Sequence, residues 1–257
     1  MKWDKMIKID LAGKIALVTG ATGELGRVMV RTLAKAGANV VVHYHKNQNQ
    51  AEILLNEIDA MGQRGFSVQA DVTQKHSVDT MRDRVNDVMG SPDILITSAV
   101  VQYEWVRILD QPIADYESQF RSSVLHNVLM AQAFFPDMIE KGWGRMIGIN
   151  TECSVQCGET QSAYVSGKRG MDGVLRVLAR EEGGHGITVN QVAPGWTISE
   201  NRQECDESEE YRKMVPLKRR GTDQEIANVV AFLASDLANF VSGVFLPVCG
   251  GNVMPGI

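Results

Sequence analysis

Cysteine is scarce and poorly placed for chemistry. The four present, Cys153, Cys157, Cys205 and Cys249, form no C-x-x-C pair and have no histidine cluster beside them. A zinc site or dithiol centre is therefore not expected, and small packing thiols are. Long apolar runs are absent too: none approaches the ~18–20 residues that a bilayer-spanning helix needs. The N-terminal stretch MKWDKMIKIDLAGK carries lysines but no apolar segment of signal-peptide length. Positive charge is not in excess, since 26 Lys and Arg face 31 Asp and Glu for a net charge of -5. Nucleic-acid binding thus has no electrostatic support. No repeat, low-complexity tract or Pro/Gly-rich linker divides the 257 residues. The expectation is one cytoplasmic domain over 1–257, with no metal, membrane or nucleic-acid partner.

What is present is an alternation of two periods. Continuous β-rich apolar runs occupy 14–19, 38–44, 66–70, 93–98, 145–150, 187–193 and 244–248. Runs of this kind fit strands buried on both faces. Between them lie helical-period stretches at 24–36, 47–62, 74–89, 113–140, 161–182 and 223–235. This order predicts an α/β fold: a doubly wound parallel sheet of about seven strands in three α/β/α layers, the Rossmann arrangement. The charged segment 196–220 follows a strand. It reads either as a solvated helix pair or as a lid-like insertion over a site at the carboxyl ends of the strands.

The first strand runs into TGATGELG, residues 19–26, with glycines at 20, 23 and 26. A strand, a tight glycine turn and a helix together suit the pyrophosphate of a dinucleotide. Glycine lets the backbone approach the phosphate, and the helix N-terminus offers unpaired N–H groups and partial positive charge. An ordinary βα turn is the alternative. Glu24 within the loop suits the helix dipole if it points outward, and repels a phosphate if it points inward.

Tyr164 and Lys168 stand four apart in QSAYVSGKRGMDGVLRVLAREE, which reads as a helix and puts them on one face. A phenol titrates near pH ~10, too high for efficient proton transfer at neutral pH. A neighbouring ammonium stabilises phenolate and lowers that value.

Thr19-Gly20-x-x-x-x-x-Gly26, the Tyr164/Lys168 pair and Pro194-Gly195 together resemble the short-chain dehydrogenase/reductase family, from about residue 11 to residue 251. The similarity is to its compact single-domain branch, like the 3-oxoacyl-ACP reductases and glucose dehydrogenases. The TGxxGxxG spacing instead resembles the extended branch, whose further substrate domain this chain is too short to hold.

The resemblance implies hydride transfer between a nicotinamide and a carbonyl or secondary alcohol of a small molecule. Tyr164 would be the proton donor or acceptor. Lys168 would lower its pKa and hold the nicotinamide ribose. Thr151 would orient the substrate oxygen, with Ser154 in that place if the register slips. Asn127 would support a water-mediated proton relay, a helix-surface amide being the alternative.

The cofactor positions carried over are Gly20, Thr22, Gly23, Leu25 and Gly26 in the loop, Tyr44, His45 and Lys46 after the second strand, and Asp71-Val72 at the adenine. Ala99, Pro194, Gly195 and Thr197 lie near the ribose and carboxamide. Tyr44 stands where the family's NAD enzymes carry an acid, so NADP(H) is favoured, with NAD(H) open. The resemblance also implies a homotetramer, with helices near 113–140 and 161–182 at an interface. Three positions depart from the family pattern: Glu24, Thr97-Ser98-Ala99-Val100 in place of Asn-Asn-Ala-Gly, and Thr151 in place of serine. They leave open a nucleotide-binding protein with little or no catalysis.

Overall fold

The computed structural model describes residues 8–200 and 207–255; Cys205 and the middle of the charged segment 196–220 lie outside the described residues. β1 (Ile15–Thr19), α1 (Glu24–Lys35), β2 (Asn39–Tyr44), α2 (Gln48–Ala60), β3 (Gly65–Gln69), α3 (Lys75–Met89) and β4 (Ile94–Thr97) make the first half. The second half holds α4 (Ile113–Gln119), α5 (His126–Lys141), β5 (Gly144–Ile149), α6 (Cys153–Gln156), α7 (Ser162–Glu182), β6 (Ile187–Pro194), α8 (Glu207–Met214), α9 (Asp223–Ala234) and β7 (Phe245–Val248).

The seven strands pair in parallel in the order β3-β2-β1-β4-β5-β6-β7. Successive side chains of a strand face opposite sides. Leu17 therefore joins Val41, Leu95 and Met146 in a core shared with α3, α5 and α7. Val18 joins Val42, Ile96 and Ile147 in a core under α1, α2 and α9. Two buried faces explain why the strands read as unbroken apolar runs. The strand order reverses between β1 and β4, and the crevice opens there, beyond the carboxyl ends.

One expectation changes. The stretch 113–140 reads as a single helix, but a π-helical turn over Phe120–Leu125 separates α4 from α5. Three side chains take carbonyls four residues back: Ser122 Oγ donates to Ser118 O at 2.8 Å, His126 Nδ1 meets Ser122 O at 3.2 Å, and Asn127 Nδ2 donates to Ser123 O at 2.6 Å. Such back-bonding competes with the regular ladder. Here α7 also approaches closely, since a Cβ on Gly167 would sit 2.9 Å from Gln119 O.

Among the described residues no helix is long and apolar enough to cross a membrane, and no group of His, Cys, Asp and Glu is placed to hold a metal. Cys153, Cys157 and Cys249 are free thiols.

Candidate active site

The glycine loop is held by backbone contact. Gly20 has φ +64°, and a Cβ there would meet Ala99 Cα at 2.9 Å. A Cβ on Gly26 would meet Gly20 O at 2.2 Å, so helix and turn touch with no side chain between them. Gly23 caps α1 with φ -76°, and its Cβ would meet only Gly20 O, at 3.3 Å. The second glycine is thus the least constrained of the three.

Glu24 borders the cavity but its carboxylate is committed sideways. It accepts from Arg27 Nη2 at 2.6 Å. Arg27 Nε lies 3.9 Å from Glu200, and Arg31 joins Glu200 to Glu57. The charge in the loop is therefore paired within α1 and the start of the segment after β6.

A residue that sequence reasoning missed fixes this loop. Buried His43 accepts from Gly20 N through Nδ1 at 3.1 Å and meets Ala70 O through Nε2 at 3.1 Å. One neutral tautomer satisfies both contacts, with the proton on Nε2. Burial, opposed by the Ala70 hydrogen bond, pushes its pKa down to about 4, and burial pushes that of His126 down to about 3. The unfolded chain then binds more protons than the folded one between the ordinary value of 6.5 and these folded values. The histidine contribution to stability is full above pH ~6.5 and is lost as pH falls toward 4 and then 3. Thermal unfolding from pH 7 to 4 should lose Tm steadily below about 6.5. A His43→Gln/His126→Gln double variant should flatten that slope; the same slope in the variant would assign it to carboxylates.

A cavity of about 810 Å³ runs along the carboxyl ends of the strands, within the range of small-molecule sites. The loop residues Gly20, Thr22, Gly23, Leu25 and Gly26 line it. So do His45 and Lys46, Asp71 and Val72, Ala99, Thr151, Tyr164, Lys168, Pro194, Gly195 and Thr197. Two expected residues do not. Tyr44 packs in the core on the α1/α2 face. Strand alternation gives the cavity side to His43 and His45 instead. Asn127 is buried and its amide is turned to the protein: Oδ1 accepts from Thr97 Oγ1 at 2.6 Å while Nδ2 donates to Ser123 O.

The Thr97–Val100 turn is unstrained. Val100 is not among the described non-glycine residues with positive φ. Thr19 Oγ1 accepts from Ser98 N at 3.0 Å and Ala99 N at 3.3 Å, tying the turn to β1. Asp71 accepts from the Thr73 amide at 2.9 Å and hydroxyl at 2.7 Å. Burial would raise its pKa, but these bonds and the nearby histidines hold it below the usual range. Asp223, also missed, lines the cavity and accepts from Thr197 Oγ1 at 2.7 Å.

Tyr164 and Lys168 come together on α7 as the helical period requires. Lys168 Nζ lies 5.8 Å from the Tyr164 ring centroid and donates to Ile149 O at 2.6 Å. The expected lowering of the phenol pKa is not what this geometry gives. Burial pushes Tyr164 up to about 12, with Cys153 adding to the rise and the Thr151 hydroxyl opposing it. Burial likewise pulls Lys168 down to about 8. Desolvation thus dominates both shifts, and Tyr164 is a protonated acid at neutral pH. Its position is fixed by Trp105, stacked at 5.7 Å between centroids, and by Tyr103, whose hydroxyl accepts from Tyr164 N at 2.7 Å.

A second cavity, about 430 Å³, opens on the far side of Tyr164. Thr151, Tyr164 and Gly195 line both cavities. Tyr211 of α8 anchors this second site: its hydroxyl donates to Glu152 Oε1 at 2.7 Å and accepts from Trp196 N at 2.9 Å. Gly195 makes room, since a Cβ there would stand 2.5 Å from that hydroxyl.

A switch-point crevice with a glycine cradle at one end and a half-buried tyrosine beside a buried lysine at the other defines a nicotinamide-dependent oxidoreductase. The comparisons place it more closely. The family model described as "Enoyl-(Acyl carrier protein) reductase" matches residues 20–252. The 3-oxoacyl-[acyl-carrier-protein] reductase FabG of Staphylococcus epidermidis is 35% identical over 245 residues, 94% of this chain and 99% of that protein. The L-rhamnose 1-dehydrogenase (NAD(P)(+)) of a Sphingomonas species is 30% identical over 246 residues, 94% of this chain and 96% of its own. Among solved structures, a gluconate 5-dehydrogenase from Burkholderia cenocepacia in complex with NADP and tartrate superposes with a TM-score of 0.89 at 28% identity, covering 95% of this chain and 97% of that one. The chain belongs to the short-chain dehydrogenase/reductase family and is an NAD(P)-dependent oxidoreductase.

Proposed function

We propose that the protein is an NADP(H)-dependent enzyme that interconverts a carbonyl and a secondary alcohol on a small molecule, with Tyr164 as its acid/base. One observation carries this reading. Tyr164 and Thr151 stand in the shared wall of the two cavities, so a substrate in the smaller one has its oxygen beside a phenol and a hydroxyl while its carbon faces the larger.

The residues present fit a dinucleotide. Gly20 and Gly26 leave a bare backbone cradle at the N-terminus of α1, and Lys46 and His45 face the cavity end where a ribose phosphate would lie. When bound, the nicotinamide supplies or accepts the hydride. Tyr164, protonated at neutral pH, gives its proton to the substrate oxygen in the reducing direction and takes it back in the oxidising one. Thr151 Oγ1, which also receives Cys153 N at 3.2 Å, holds that oxygen. Lys168, fixed on Ile149 O, supplies positive charge beneath the phenol. Asn127 acts through position: its amide pins α5 to the end of β4 beside the π turn.

NADP(H) is favoured because no acid stands at the end of β2 to repel a 2′-phosphate, and Lys46 offers a cation. The gluconate 5-dehydrogenase solved with NADP supports this. Helix α8 covers the second cavity in the manner of a lid through Tyr211. The enzyme works in the cytoplasm as a homotetramer, with exposed Phe120 and Val177 on the helical face that meets a second copy.

Fluorescence titration with NADPH and with NADH tests the reading. The expected result is micromolar NADPH affinity, NADH at least about tenfold weaker, and loss of that gap in Lys46→Glu. Equal affinities would refute the cofactor assignment, and no binding of either would refute the site.

A further inference from the structure

We propose that the cavity beyond Tyr164 admits uncharged, hydroxyl-rich substrates of the polyol or aldose kind, and that Glu152 sets this selection against anions. The proposal rests on the oxidoreductase reading above and names the substrate class of the same site.

The lining of the cavity is unusual in what it omits. Among the described residues no lysine, arginine or histidine contributes to it, and Glu152 is the one charged residue in its lining. Two cations stand close without lining it. Lys168 is turned onto Ile149 O, and Arg220 lies behind Trp196, 4.3 Å from the ring centroid, with Nε and Nη2 donating to the carbonyls of Trp196 and Thr197. Glu152 is buried, with Oε1 receiving the Tyr211 hydroxyl and Oε2 receiving Asn252 Nδ2 at 3.0 Å. Among the described residues only neutral donors hold it, so no partner charge there cancels its field. A substrate carboxylate brought into this space meets a like charge in a poorly screened site and finds no counter-ion.

The remaining lining suits hydroxyl groups. Gln102, Gln156 and Gln161 bring side-chain amides to the cavity. Gln161 Oε1 is buried and has no hydrogen-bond partner among the described residues, an acceptor that a substrate hydroxyl satisfies once the amide turns toward the cavity. Trp105 and Trp196 present aromatic surface beside them, suited to the C–H faces of a ring or extended polyol. An aliphatic acyl tail has the opposite needs. It would strip water from these amides and from Glu152 and return no hydrogen bonds.

The test compares matched probes with NADP+ or NADPH: D-glucose against D-glucuronate, D-sorbitol against D-gluconate, and the uncharged N-acetylcysteamine thioester of acetoacetate. Turnover is read as kcat/KM. Binding is read separately by saturation-transfer NMR on the Tyr164→Phe protein with NADP+. At least one neutral polyhydroxy probe should bind, and neutral members should exceed their acids by about tenfold or more. Glu152→Gln should shrink that ratio by a similar factor. Acids or the thioester equal to or better than the neutral members would overturn the proposal, as would no saturation transfer to any neutral probe. An unchanged ratio in a folded Glu152→Gln would overturn the role of Glu152. If that variant fails to fold, the wild-type ratio decides. Binding of a neutral probe without hydride transfer to any substrate would count against the oxidoreductase reading and leave this one standing.

Discussion

Tyr164→Phe is expected to lower kcat for carbonyl reduction by about 10²–10⁴-fold, while the Kd for NADPH stays within a few-fold of wild type. The phenol acts on a proton that moves only as the substrate oxygen changes charge, so its removal is felt in the transition state. The substitution deletes one oxygen and keeps the ring. Stacking on Trp105 is retained, and the hydrogen bond to Tyr103 comes from the Tyr164 backbone amide, which the variant keeps. No cavity-forming loss of carbon accompanies the change, so Tm should move little. Steady-state turnover, an NADPH titration and a thermal melt on one preparation separate the outcomes. Wild-type turnover in the variant would remove Tyr164 from the chemistry. Loss of NADPH binding together with turnover would make it a structural residue of the dinucleotide site.

Much of the fold was legible because both sides of the sheet are buried. Leu17 and Val18 face opposite cores, so β1 reads as an unbroken apolar run, and the other central strands read likewise. The glycine loop was legible for a similar reason, since Gly20 and Gly26 answer to backbone contacts that no other residue fits. Counting from motifs failed where orientation matters. The position at the end of β2 aligns with Tyr44, yet strand alternation turns Tyr44 into the core and gives the cavity to His43 and His45. The π turn left no trace in the 3.6-residue period, because the side-chain bonds that favour it come from ordinary serine, histidine and asparagine. Glu152, Tyr211 and Asn252 were invisible as a group. Their bonds span 59 and 100 residues, and no local pattern announces them. The Tyr164–Lys168 pair was legible in place but not in energy: spacing reports that two groups are neighbours, and burial decided which way their protons shift.

Gly26→Ala should cost both stability and cofactor, whereas Gly23→Ala should cost little of either. The added methyl at 26 would stand 2.2 Å from Gly20 O and 2.9 Å from Ala21 Cα. These are backbone atoms, so relief requires moving the turn away from α1. Gly20 cannot follow freely, since its amide is tied to His43 and its Cα packs against Ala99. Overpacking of this kind destabilises by about 1–3 kcal/mol, which for a chain of this size is a Tm loss of several degrees. The larger effect falls on NADPH. The turn aims backbone N–H groups at the pyrophosphate, and hydrogen bonds to a charged group contribute about 1.5–3 kcal/mol each. Misdirecting two of them weakens binding by about 10²-fold or more. At position 23 the methyl meets only Gly20 O at 3.3 Å with φ already negative, so a shift of a few tenths of an ångström suffices. Melting curves and NADPH titrations of the two variants side by side decide the point. Equal losses would mean that general flexibility of the loop governs binding; a loss confined to Gly26→Ala assigns it to the close approach of helix and turn.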